Sequence, residues 1–197
     1  MDKIRCYFIC KKDLNQIMLL NASKSLLLVV DIQEKLFPLQ AEKELVLNGT
    51  KFLIDVAQIL SVPILMSEQY PKGLGKTIPE INAYNLKSFE KMCISCAEDE
   101  PIADYLKNMK RSQIIITGME AHICVLQTAI GFQAKGFEVF VVEDAISSRQ
   151  ISDKIASLKR MTHCSIQIVT KEMVCYEWLQ KSGTDVFKEI NNMIKNQ

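Results

Sequence analysis

Gln113-Ile-Ile-Ile-Thr-Gly-Met-Glu-Ala-His-Ile-Cys-Val125 changes its period in the middle, and that change decides how the chain is read. Residues 113 to 117 form a β-branched run of the length of a buried parallel strand, and Gly118 is expected to punctuate its end. From His122 onward Ile123, Leu126, Ile130 and Ala134 fall at helical spacing, until Lys135-Gly136 supplies a stop. The pattern predicts a strand that runs straight into a helix, with Cys124 in its first turn. A thiol in that position meets unpaired backbone N–H groups and the positive end of the helix dipole. Both favour the thiolate, which is the nucleophilic form. A free cysteine is also commonly a small buried apolar residue, so packing and catalysis both stay open on this motif alone.

Outward from this stretch the chain alternates. Ser25-Leu-Leu-Leu-Val-Val-Asp31 is the continuous apolar run of a central parallel strand, covered on both faces and ending on a carboxylate. A helix is expected from about residue 45 to 60, with Leu45, Phe52, Val56 and Ile59 on its apolar face. Residues 62 to 66 read as a second strand opened by Pro63, and 67 to 79 as a loop rich in Gly and Pro at its carboxyl end. Loops in that position build binding sites in open α/β sheets. Residues 85 to 90 suit a short edge strand that leaves Lys91 at its end, and 99 to 108 a helix with Pro101 in its first turn. After the central motif come a strand (137 to 142), a turn region (143 to 148), a helix (152 to 161), a strand (165 to 169) and helical segments at 172 to 179 and 185 to 194. Such alternation argues for a parallel sheet with helices on both faces.

The 197 residues suit one domain with a sizeable core, and 48% hydrophobic with 24% charged is ordinary globular composition. A net charge of +1, with no basic run longer than Lys11-Lys12, gives no field to attract nucleic acid or an anionic membrane. The longest apolar run, Leu26 to Val30, is far too short to span a bilayer, so a soluble chain is expected. Seven cysteines form an odd set without a secretory signal, which points to a reducing, cytoplasmic compartment. Cys93 and Cys96 form a Cys-x-x-Cys, but no second pair stands at zinc-finger spacing and the only histidines are His122 and His163. Residues 1 to 17 hold mixed charge without a sustained period and read as an appendage to a domain otherwise spanning 1 to 197.

In a parallel sheet, strand ends of one sense share one edge. If the first and fourth strands are neighbours, Asp31 and Cys124 flank the crevice where such folds bind ligands, and Lys91 ends nearby. Each has a plain alternative: Asp31 as a helix-start residue, Lys91 as a solvated lysine, Cys124 as packing.

The motifs Val30-Asp31-Ile-Gln33, Phe89-Glu-Lys91, Gly118 to Val125, Lys135-Gly-Phe-Glu-Val139 and Val142-Glu-Asp-Ala-Ile-Ser-Ser148 together resemble the isochorismatase-like cysteine hydrolases over about residues 20 to 195. That family includes nicotinamidases, N-carbamoylsarcosine amidase and ureidoacrylate hydrolase. Glu68 to Gly75 and Val186-Phe-Lys-Glu-Ile190 look like its branch of isochorismatase domain-containing proteins. The resemblance implies a Rossmann-like three-layer sandwich around a six-stranded parallel sheet in the order 3-2-1-4-5-6. It implies a catalytic triad of Asp31, Lys91 and Cys124, an oxyanion hole from the backbone N–H groups of Glu120 and Cys124, and a cis peptide at Met119-Glu120. Gln33, Phe37, Glu68 and Gln69 are expected to line the pocket.

The departures from the family's pattern narrow the chemistry. Nicotinamidases hold a metal with an aspartate and histidines in the loop after the second strand, and here that loop reads Glu68-Gln-Tyr-Pro with no histidine. No metal and no cofactor are expected. Isochorismatases proper lack the cysteine, so Cys124 speaks for covalent acyl chemistry. The expectation is a metal-independent hydrolase of a small amide or related acyl compound, acting through a cysteine thioester as a homo-oligomer. The alternatives are an enol-ether hydrolase of isochorismatase type and a non-catalytic or thiol-redox module that uses the fold for oligomer contacts.

Overall fold

Strand β1 (Ser25–Val30) is buried at every position, its five apolar residues after Ser25 dividing by alternation between the two faces of the sheet. Leu26, Leu28 and Val30 pack into one core with Ile114, Ile116 and Phe132, whereas Leu27 and Val29 pack into the other with Phe52, Val56 and Trp178. A strand apolar on both sides needs cover on both sides. That cover makes three layers. The polar Ser25 is tolerated because its hydroxyl donates to the Asn21 carbonyl and accepts from the Trp178 indole, at 2.8 and 2.9 Å.

The computed structural model describes residues 19 to 195, and the appendage expected at 1 to 17 lies outside them. After β1 follow a 3₁₀ turn (Phe37–Leu39), α1 (Lys43–Ile59), β2 (Ile64–Gln69), the short helices α2 (Pro71–Leu74) and α3 (Pro79–Asn82), β3 (Lys87–Lys91), α4 (Glu100–Asn108) and β4 (Gln113–Met119). A π-helical turn (Ala121–Val125) leads into α5 (Leu126–Ala134), then come β5 (Glu138–Ser147), α6 (Ile151–His163), β6 (Gln167–Val169), α7 (Lys171–Leu179) and α8 (Asp185–Lys195). The six strands form one sheet in the order β3-β2-β1-β4-β5-β6, every pair parallel. The connections after β1 and β4 leave toward opposite edges. The crevice between those two strand ends is where this architecture places ligands. No helix among the described residues is long and apolar enough to cross a membrane.

Three of the departures from the sequence reading bear on the site. Gly118 does not end β4 but lies within it, paired with Val30 on one side and Ile146 on the other. A Cβ there would come 2.0 Å from the Val30 carbonyl oxygen, at a φ of +112°. The glycine permits close backbone approach and is no stop signal. Strand β2 continues past Met66 through Ser67, Glu68 and Gln69, which pair with Phe89, Glu90 and Lys91 of β3. The turn expected at 143 to 148 is instead mostly strand, because a register shift opposite Ile116 to Gly118 lets β5 resume pairing at Ile146 and Ser147.

Candidate active site

Asp31 leaves β1 in a left-handed conformation, φ +52°, its N–H bonded to the Ser67 carbonyl at 3.1 Å. Its side chain is wholly buried, with Lys91 Nζ 2.8 Å from one carboxylate oxygen and Ser67 Oγ 2.7 Å from the other. Lys91 closes edge strand β3 and is equally dry. Its ammonium also donates to Gln69 Oε1 at 2.5 Å and to the carbonyls of Cys93 and Ile94 at 3.3 and 3.1 Å. With four acceptors for three protons, Lys91 has no proton left to offer a ligand. Burial works most strongly against its charge, but the Asp31 carboxylate more than offsets this and holds it above the usual lysine range. Lys91 is an ammonium ion at any working pH.

Cys124 lies in the π-helical turn that joins β4 to α5 and is 6% exposed. The carbonyl of Glu120 anchors the turn by accepting the N–H groups of Ile123 and Val125, at 3.0 and 3.2 Å. The preceding Met119-Glu120 peptide bond is cis. Two side chains tie the turn to the residues that follow β5. Arg149 bonds the Glu120 carboxylate at 2.8 Å, and His122 Nδ1 meets Ser148 Oγ at 2.9 Å. The thiol lies close enough to Asp31 and Lys91 for both charges to act on it, so the three sequence-predicted groups are together. The thiolate expected from the helix start is corrected, however. Burial pushes the Cys124 thiol up, the Asp31 carboxylate pushes it further, and Lys91 pulls the other way without prevailing. In the resting protein the sulfur keeps its proton.

Of the four residues expected to line the pocket, three have their polar groups committed elsewhere. Gln33 spends both amide donors on the carbonyls of Gln69 and Gly75, at 3.0 and 2.7 Å, and its oxygen takes the Gln69 N–H at 2.8 Å. Gln69 bridges Lys91 to the Met92 carbonyl. Glu68 accepts the N–H and hydroxyl of Thr77 at 2.7 and 2.8 Å, with Lys76 at 3.3 Å. Burial opposes the charge of Glu68, but the bonds from Thr77 and Lys76 win and hold its carboxyl below the usual range. These residues fasten the segment after β2 against the exit of β1, where amides left unpaired would cost about 1 to 3 kcal/mol each. Phe37 is half-buried in its 3₁₀ turn and packs on the core beneath α1. Among the described residues no cluster of three or more His, Cys, Asp or Glu could hold a metal ion.

Two participants escaped the sequence reading. Ser67 and Cys96 sit beside Asp31, Lys91 and Cys124, with Cys96 Sγ 3.5 Å from Ser67 Oγ. The available signal for Ser67 was its place directly before Glu68. It was obscured by ending β2 three residues early, at Met66. The Cys-x-x-Cys pair is split, with Cys96 buried and Cys93 exposed near the Glu98 carbonyl.

The isochorismatase domain model matches residues 25 to 173. Isochorismatase domain-containing protein 2 of Danio rerio is 35% identical over 176 residues, 89% of each chain. A solved structure described as the MAR1 ribonuclease of Caenorhabditis elegans is 36% identical, covers 90% of this chain and 92% of that one, and superposes with a TM-score of 0.84. The YcaC gene product of Escherichia coli, described as an octameric hydrolase of unknown specificity, covers 90% and 95% with a TM-score of 0.81. At 23% identity it bears on the fold alone. A family model spanning most of the chain, and a relative above 30% identity along nearly all of it, make this chain a member of the isochorismatase-like hydrolase family.

Proposed function

We propose that the protein hydrolyses a small amide or related acyl compound through a thioester on Cys124, without a metal. The observation that carries this reading is the dry Asp31–Lys91 pair, 2.8 Å apart, with the Cys124 thiol near enough for both charges to act on it. Burying two charges costs several kcal/mol per ion even after relaxation, and apolar residues of the same volume would often be neutral or better for stability. A carboxylate held charged in a dry crevice next to a thiol is a base in position. As the sulfur attacks the carbonyl carbon, its proton passes to Asp31. The tetrahedral oxyanion takes hydrogen bonds from the N–H groups of Glu120 and Cys124, and loss of one such donor costs roughly 100-fold to 1000-fold. Asp31 then returns the proton to the leaving nitrogen as the C–N bond breaks. Water attacks the thioester, giving its proton to Asp31, and the C–S bond breaks to release a carboxylic acid and the thiol. Lys91 stays protonated throughout and acts by charge.

This order of events answers the raised thiol: the proton leaves during attack and not before it. Ammonia release from a panel of small amides, with an acyl adduct on Cys124 in intact-mass spectra, tests the reading. Turnover without an adduct, or unaffected by Asp31→Asn, would refute it. The name of the C. elegans relative raises phosphodiester cleavage as a second reading. A net charge of +1 offers little attraction to RNA, and an RNA digestion assay on the same preparation separates the two.

A further inference from the structure

Ser67 and Cys96 are 1% and 0% exposed and take no part in the proton transfers above. Lys91 occupies Asp31 Oδ2, while Ser67 Oγ lies 2.7 Å from Oδ1 and Cys96 Sγ lies 3.5 Å from that same Oγ. A hydroxyl has one proton and two lone pairs. A carboxylate can only accept, so the Ser67 proton points at Asp31 and the Cys96 S–H fills one of the lone pairs behind it. Cys96 is fit for this because it stays a thiol. Burial, then the Asp31 carboxylate, push it up to about 11. Its backbone N–H is fixed by Thr128 Oγ1 at 2.9 Å, which holds the segment between β3 and α4 in place.

We propose that Ser67 is a positioning residue for Asp31, its hydroxyl aimed by Cys96 at Oδ1 so that the carboxylate is held in orientation beside the Cys124 sulfur. This rests on the acyl-transfer reading above. The titratable groups that face Asp31 are Lys91 from β3, Cys124 from the π-helical turn and Cys96 from the β3–α4 segment. Ser67, from β2, is the neutral donor among them. Its bond at 2.7 Å fixes Oδ1 as Lys91 fixes Oδ2, so its removal leaves the carboxylate free to turn away from the sulfur.

The test uses the full chain. Alkylation of Cys124 by iodoacetamide, in which an S–C bond forms, iodide leaves and the proton passes to Asp31, is expected to slow about tenfold in Ser67→Ala and to recover in Ser67→Thr, with kcat falling in parallel and KM unchanged. A Ser67→Ala alkylation rate equal to wild type overturns the proposal, because a merely structural serine would alter unfolding and leave the reactivity of the folded protein alone. If instead wild-type Cys124 reacts no faster than the other thiols while Ser67→Ala still slows it and Ser67→Thr restores it, the nucleophile reading falls and the placement of Ser67 stands.

Discussion

Lys91 and Lys154 are both buried against a carboxylate, at 2.8 Å from Asp31 and 2.6 Å from Glu42, but their surroundings differ in kind. Lys154 ties α6 to the residue before α1, and its partner Glu42 keeps a third of its side chain in water. Solvent screens that pair and lowers the cost of forming it. Around Lys91 both partners are wholly dry, two backbone carbonyls and a glutamine share the ammonium, and the Cys124 thiol lies within reach of both charges. The half-wet pair is explained by tethering two helices. The dry pair is not explained by tethering, because its desolvation cancels most of what a tether contributes. What remains is the use of its charges on the sulfur.

The largest expected effect removes the group those charges act on. Cys124→Ala should lower turnover by about 10⁴-fold or more while circular dichroism and the unfolding midpoint stay close to wild type, since one small buried residue replaces another. The next compares the two lysines directly in denaturant unfolding. Lys91→Met should cost about 3 to 5 kcal/mol because it strands the Asp31 charge, whereas Lys154→Met should cost less than about 1 kcal/mol. The double variant Asp31→Leu with Lys91→Met should recover much of that stability and remain inactive. Equal costs for the two single substitutions would break the comparison.

The pH dependence sharpens it further. Lys91 is held above its ordinary value of 10.5, so the stability contributed by its charged form is fully present below that value. It is lost as pH rises through the folded value, and the stability gap between wild type and Lys91→Met should therefore close only in strong alkali. Glu68 is held below its ordinary value of 4.5, and the sign reverses. Its contribution is present above 4.5 and lost as pH falls through the folded value, so Glu68→Gln should flatten the acid limb of the unfolding midpoint. The smallest effect is a chelator series. Turnover should be unchanged in EDTA, and loss of activity restored by zinc would refute the metal-free mechanism.

The alternation of strands and helices, with Asp31, Lys91 and Cys124 near strand ends, was legible from local signals: an apolar run that ends on Asp31, a short edge-strand stretch that ends beside Lys91, and a switch of period ahead of Cys124. The strand order came from the family resemblance of the motifs, because pairing between distant strands leaves no local signal. The ends of β2 and β5 were not legible. Ser67, Glu68 and Gln69 look like loop by composition but stay in the ladder, because β3 pairs with them and their polar groups find partners in Asp31, Thr77 and Lys91. Gln33 was read as facing a ligand for a similar reason. Its role as a clasp depends on the Gln69 backbone, 36 residues away.

The sequence by itself determined which chemistry could assemble: a carboxylate, an ammonium and a thiol at the ends of parallel strands, on a chain whose alternation leaves little choice of architecture. Periodicity and residue type are carried by neighbours within a few positions, so they survive without a structure. Only the tertiary structure decided how protons sit on those groups. The thiol expected as a thiolate is held protonated by burial and by a carboxylate 93 positions earlier in the chain, and that carboxylate is itself held by a lysine 60 residues and a serine 36 residues away. Desolvation and Coulomb energy depend on what the whole fold brings within a few ångströms, and the order of residues along the chain does not contain that distance.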